Sequence, residues 1–258
     1  MLYLKYVRMV FRCQLQYRSS FLMTMLAQML VPLSVLSGML LLFQRFKRLG
    51  DWSVADVLLC FAAIHMAFAL SECFARGFDQ FSQLVIQGEF DRILVRPRST
   101  VLQVLGARIE FSRIGRLLLS VIVLVVAITQ VTIDWTLLRA VALSLMIIGG
   151  SVIFYGIFML AATLCFWTLQ GLEVANIFTD GGREMAQYPL DIYRTEVMRF
   201  FTYVIPFGAV NYLPLHYLLG HSGSAPWQAF IPLVALVFLI PCILAWRAGV
   251  RHYQSAGS

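Results

Sequence analysis

Charge is what this sequence has least of. Asp, Glu, Lys and Arg make up 13% of its 258 residues, and 60% are hydrophobic. Soluble domains carry about 25% charged residues. The deficit, with a mean hydropathy of +0.80, excludes an ordinary water-soluble fold, and the apolar runs leave no stretch for a separate soluble domain. Acidic residues are scarcer than basic ones, 13 against 20, giving a net charge of +7. The basic residues flank apolar runs and form no dedicated patch, which points to positive-inside bias and away from nucleic-acid binding.

Several chemistries lack their residues. No G-x-x-x-x-G-K-[ST] phosphate loop occurs, and Gly181-Gly182-Arg183 has neither the lysine nor the strand context. The chain therefore cannot hydrolyse ATP by that route. Cys13, Cys60, Cys73, Cys165 and Cys242 are odd in number and show no metal-ligand spacing, so they read as small apolar filler. The histidines are scattered, with no H-x-x-x-H, paired-carboxylate or Ser-His-Asp arrangement, so no catalytic or metal residues are expected. There is no internal repeat.

What is present is long apolar runs, which predict an all-α integral membrane protein forming one transmembrane domain over 1–258. Residues 1–20 interleave Lys5, Arg8, Arg12 and Arg18 with Leu4, Val7, Phe11 and Leu15, as in an amphipathic helix lying in the membrane interface; a solvated tail is the alternative. Six spans follow: about 21–43, 54–75, 117–133, 140–172, 200–220 and 227–246. The first is too long for a signal-peptide core and predicts a retained span. At about 1.5 Å per residue it crosses a hydrocarbon core of about 30 Å. The third is short and is expected to be extended backwards by a helix from about Ser99. The fifth and sixth carry Pro206, Pro214, Pro232 and Pro241, so kinked or unwound helices are expected there. Most Lys and Arg fall before the first span, in 76–116, in 183–199 and in the tail, which places both termini in the cytoplasm. The outer links Gln44–Ser53, Asp134–Arg139 and His221–Pro226 are short.

The polar loop 76–116 is the strongest pointer to function. Phe78, Phe81, Leu84 and Val85 share one helical face, Gly88 interrupts it, and Phe90, Ile93 and Leu94 restart it before Pro97. Two short amphipathic helices meeting at a glycine are expected, with Ser99 capping the next helix. Their apolar faces either pack on the protein's own spans or dock in a groove of a cytoplasmic partner.

Gly88-Glu89-Phe90-Asp91-Arg92 with Arg96-Pro97 resembles the cytoplasmic signature of a compact branch of the type 2 permeases of ATP-binding-cassette transporters. Tyr188-Pro189-Leu190-Asp191-Ile192-Tyr193, Phe200–Pro206 and Tyr212-Leu213-Pro214 are similar to that branch as well, and the layout of interfacial helix, six spans and short outer links agrees. The resemblance covers nearly the whole chain. It implies that the loop after the second span carries a coupling helix, with Gly88, Glu89, Phe90, Asp91, Arg92, Arg96 and Pro97 as the coupling positions. It also implies a separate cytoplasmic ATPase that binds ATP and magnesium, a second permease subunit (the same or a related one), contact with membrane lipids, and the bacterial inner membrane as location. The substrate expected from greasy walls and tiny outer loops is amphipathic, drug-like or lipid-like.

Other residues leave alternatives open. Glu72 lies one helical turn from Arg76 and is expected to pair with it; an intramembrane carboxylate is also a functional candidate. With His65 it could serve a proton-coupled transporter or small channel, although seven residues separate the two by about 10 Å along a helix. A membrane-embedded enzyme would need a polar cluster that the sequence does not show. Asn211, Tyr212 and His216 are candidates, with Glu72, for lining a substrate path, or belong to ordinary kinked helices. Gly149, Gly150, Ser151 and Gly156 suggest close helix packing. The acidic segment Glu173–Glu196 is either a second cytoplasmic contact or a solvated turn.

Overall fold

The computed structural model describes residues 2–168, 171–220 and 224–254. The protein is an all-α membrane protein. Helix α1 (Leu2–Gln16) turns at Tyr17 into α2 (Arg18–Arg45). Helix α3 (Val54–Asp79) follows, then the short α4 (Phe81–Ile86), α5 (Glu89–Leu94) and α6 (Thr100–Ala107). Helices α7 (Ile114–Gln130) and α8 (Leu137–Leu164) form a long pair. After them come α9 (Gly171–Ala186), α10 (Thr195–Tyr203), α11 (Leu213–Leu219) and α12 (Val234–His252). Five continuous stretches are long and apolar enough to cross a bilayer: Arg18–Arg45, Val54–Ile86, Phe111–Gln130, Leu137–Leu164 and Pro226–His252.

Helix α3 is the spine. It starts at a reciprocal cap: the Asp56 N–H donates to Ser53 Oγ at 3.3 Å, and the Ser53 N–H donates to Asp56 Oδ2 at 2.9 Å. Its small residues Ala62, Ala63, Ala67 and Ala69 are fully buried and let α7 and α8 approach closely. Gly115 of α7 passes so near α2 that a Cβ there would sit 1.9 Å from the Met25 carbonyl oxygen, and Gly77 meets the Val104 carbonyl at 1.8 Å. Gly149 and Gly156 of α8 face Pro232, Phe238 and Cys242, so the small-residue patch forms a helix crossing with the last span. Most of α2 is exposed, with Leu22, Leu26, Leu30 and Leu41 outward; such a surface suits lipid.

Three expectations change. The third span is not extended back as one helix. Arg108–Glu110 is non-helical and Phe111–Arg113 is a tight turn. Gln14 of α1 holds this break, donating to the Ile109 carbonyl at 3.0 Å and accepting from the Phe111 N–H at 3.2 Å, while the Glu110 N–H reaches the Cys73 carbonyl. The fourth span ends at Leu164, short of 172; residues 169–170 of that expected range lie outside the described residues, as do 221–223 of the last outer link.

The largest change concerns the fifth span. The range 200–220 is not a continuous crossing. Pro206 and Pro214 lack N–H groups, and between them Gly208–Tyr212 forms a wide turn closed by the Leu213 N–H on the Gly208 carbonyl. Helix α9 occupies the space beside α3 instead and runs antiparallel to it. Arg183 lies over the Phe68 ring, Gln187 bonds His65, and the Ala186 carbonyl accepts from Cys60. Residues 188–193 then reach the end of the bundle that holds Trp52, opposite the α4–α6 loop. Helix α10 dips back until Phe200 approaches Phe178, and α11 returns to Trp52. The acidic segment is therefore helical up to Ala186 rather than a turn, and Asp180 lies at the loop-side end of the bundle beside Arg76 and Asp79. Its ion pairs are its own: Arg183 pairs with Asp180 at 2.9 Å and with Glu184 at 2.8 Å.

Candidate functional site

The coupling candidates sit on a hinged two-helix element. Gly88 takes φ 67° between α4 and α5, a left-handed conformation that a side chain disfavours. Phe90 is completely buried. Its ring packs edge-on against Phe81 at 4.8 Å and Tyr253 at 5.0 Å, and lies 5.6 Å from Phe166 and 6.2 Å from Trp246. Those rings belong to α4 and to the ends of α8 and α12. Of the two readings of the apolar face, the structure places Phe90 and Ile93 against the protein's own spans. Gln103 ties the end of α5 down, its amide donating to the Ile93 and Arg98 carbonyls at 3.1 Å each. Trp246 donates to Thr100 Oγ1 at 3.1 Å, joining α12 to α6.

The opposite face is open. Glu89, Arg92, Arg96 and Pro97 are exposed, Asp91 is half-buried, and Val95 and Ile86 are 85% and 65% exposed. The element therefore presents apolar and basic side chains outward while its inner face is locked to two spans.

Beside it lies a buried ionic cluster. Glu72 is 4% exposed and accepts from Arg116 at 2.5 Å; Arg113 approaches at 3.2 Å and Arg76 at 3.7 Å. Arg76 also pairs with Asp79, and Glu110 faces both Arg76 and Arg113. The expected Glu72–Arg76 pair is thus the longest of three contacts. The cluster borders a polar cavity of about 450 Å³ that includes Asn176, Thr179 and Asp180 of α9. Arg183 pairs with Asp180 at 2.9 Å, and its guanidinium and that of Arg116 lie 4.7 and 5.2 Å from the Phe68 ring centre. Arg113 and Arg116 went unread as partners because they stand far along the chain. Their spacing of three residues, just before an uncharged run, was the available signal.

The four residues considered for a substrate path are not gathered around one cavity. Glu72 lines the polar cavity near the loop. Asn211 is buried, donating to the Ala186 carbonyl at 2.7 Å and to Cys60 Sγ at 2.8 Å. Tyr212 and His216 pack on each other and on Trp52 at the opposite end, with ring centres 4.6 to 6.2 Å apart. His65 bonds Gln187 at 3.0 Å and stacks on Phe61, so it does not pair with Glu72.

A charged, glycine-broken element packed on two spans of an all-helical bundle is the layout to compare with known families. Residues 29–257 match the family model described as ABC-2 family transporter protein. The chain belongs to that family. No curated protein matches it. An ABC-2 chain is the membrane component of a transporter, and the family implies association with an ABC ATPase partner.

Proposed function

We propose that this ABC-2 permease is one half of an ATP-driven exporter that moves an amphipathic, drug-like or lipid-like substrate from the cytoplasm or inner leaflet outward. A separate ATPase, which binds ATP and magnesium, docks on the element Gly88–Pro97. In this reading Glu89, Asp91, Arg92 and Arg96 set the register of docking, and Val95 and Ile86 supply apolar contact. Gly88 gives the element its hinge, Pro97 ends it, and Phe90 transmits its movement. A second permease, the same chain or a relative, completes the pathway in the bacterial inner membrane, with both termini cytoplasmic.

One observation carries this reading. The inner face of α5 is wedged among rings from α8 and α12, so a push on its outer face moves two spans at once. Channel or proton-coupled transport through Glu72 and His65 is less well supported, because the two hold different partners.

The test is co-purification from the native membrane with a cytoplasmic ABC ATPase. Wild type should bring the ATPase down and show transport that requires ATP. Val95→Asp and Arg96→Glu, both at exposed positions, should insert normally and lose the ATPase. Retained ATPase in both variants, with full transport, would refute docking at this element.

A further inference from the structure

A cavity of about 450 Å³ opens between α8, α9, α10 and α12, within the range of ligand pockets, about 300–1,000 Å³. Its floor is Ile157 and Ala161 of α8 with Ile205, all buried, and its walls are Phe178, Phe200 and Phe238. Helix α10 has nine residues, about 14 Å of helix, and cannot cover α8 and α12 along their length. The lining carries no charge. Its one hydroxyl, Thr163, already donates to the Met159 carbonyl of its own helix at 2.7 Å. The interior therefore suits a wholly apolar guest. The rim faces outward from the bundle, with Leu164 44% and Val204 57% exposed, so the opening is toward lipid.

One end of the cavity differs. Trp167 and Ala248 line it, and their chain neighbours Phe166 and Trp246 meet Phe90, so this end is on the loop side. Trp167 is exposed, as a tryptophan at a membrane–water boundary is. His252 lies 6.1 Å from it ring to ring, and its Nδ1 is 2.8 Å from the Ala248 carbonyl. Arg251 and His252 follow Ala248 by three and four residues, so they stand one turn beyond it at the mouth. Both are exposed, and among the described residues no carboxylate pairs with Arg251. An apolar slot that opens sideways and ends in an unpaired cation matches an amphiphile with an apolar tail and an anionic head.

We propose that this cavity holds one acyl chain of an anionic phospholipid from the loop-side leaflet, with the phosphate at Arg251 and His252. The lipid then wedges between α8 and α12, the two spans that carry the rings around Phe90. The proposal does not depend on where the ATPase docks or on what is transported, because it concerns the permease alone.

Native mass spectrometry of the delipidated, detergent-purified permease tests it and reads lipid number and oligomeric state together. Dioleoyl phosphatidylglycerol and dioleoyl phosphatidylcholine are titrated separately. One phosphatidylglycerol per permease should be retained at about fivefold lower concentration than phosphatidylcholine, the effect of one arginine on one anionic headgroup. Arg251→Gln should erase that preference. Ala248→Phe, at an exposed position, should fill the mouth and weaken retention of both lipids about tenfold, as loss of contact with about two methylenes does. Should Ala248→Phe fail to fold, Arg251→Gln carries the test alone. Equal retention of the two lipids by wild type, or a preference that survives Arg251→Gln, overturns the proposal, and so does undiminished retention by Ala248→Phe. If Ala248→Phe instead split a dimer while lipid retention stayed unchanged, the cavity would belong to a second copy of the chain and the proposal would fall.

Discussion

Trp52 and Asp191, 139 residues apart, close the end of the bundle opposite the loop: the indole N–H donates to both carboxylate oxygens at 2.9 Å. Trp52 precedes α3 and Asp191 follows α9, so this bond fixes the far ends of the two antiparallel helices that carry the buried charges. Tyr212 and His216 pack on the same indole, so α11 is held at this point as well. The short link before α3 thereby organises three elements that the chain builds far apart.

Trp52→Phe keeps the ring and removes the donor. It should destabilise the purified protein by roughly 1.5–3 kcal/mol, the usual worth of a hydrogen bond to a charged group. Asp191→Asn, which retains an acceptor oxygen, should cost less. Thermal unfolding in detergent checks the order, and an Asp191→Asn variant less stable than Trp52→Phe would contradict it.

Glu72 is surrounded by Arg116, Arg113 and Arg76, and removing it leaves cations buried without their shared anion. Glu72→Ala should cost about 3–5 kcal/mol. Arg116→Met should cost less, since Glu72 keeps two arginines. The double variant Glu72→Leu with Arg116→Met should be more stable than Glu72→Ala alone, because a desolvated pair is replaced by apolar packing. A double variant no more stable than Glu72→Ala would show that the two residues are not coupled.

Most of the bundle was legible from uncharged runs: α2, α3 and α7 stand within a few residues of their expected places, α8 and α12 overlap theirs, and the glycine-broken loop has its two short helices. The placement of α9 was not legible. Asp180, Arg183 and Glu184 read as solvated because a charge in a span is costly unless paired; they pair with one another at one and three residues' spacing, and Arg183 also lies over the Phe68 ring of α3. Sequence distance hid that ring contact. The run 200–220 looked like a span for the converse reason: it is apolar throughout, and only Pro206 and Pro214 hinted that its backbone turns back. Composition likewise marked Phe90 and its neighbours as one apolar face but could not show that the end of α12 covers it.

Glycines divide into crossings and spare positions. A Cβ on Gly115 would collide with the Met25 backbone, and one on Gly77 with the Val104 backbone, whereas Gly38 has nothing within 4 Å. Gly115→Ala and Gly77→Ala should each destabilise by at least about 1–3 kcal/mol, because backbone must move to admit the methyl group. Gly38→Ala, inside a helix with open space, should be neutral or gain about 0.5–1 kcal/mol. Thermal midpoints of the three variants decide; a stable Gly115→Ala protein would mean that α2 can shift off α7 without cost.

Phe90 and Val95 lie on one six-residue turn and its cap, yet they should fail in different ways. Phe90 fills a buried aromatic cluster, so Phe90→Ala should cost about 3–5 kcal/mol in the isolated permease. Its ATPase should still bind, because the outer face is intact, while hydrolysis proceeds without transport. Val95 is 85% exposed and contributes little to the permease's own stability. Val95→Asp should leave the thermal midpoint unchanged and abolish ATPase binding, since a charge would be buried in an apolar contact. Thermal unfolding of the permease alone, set beside ATPase pull-down and transport, separates the two. If both variants lost stability equally and neither lost the ATPase, α5 would be a structural clasp and the force would enter elsewhere.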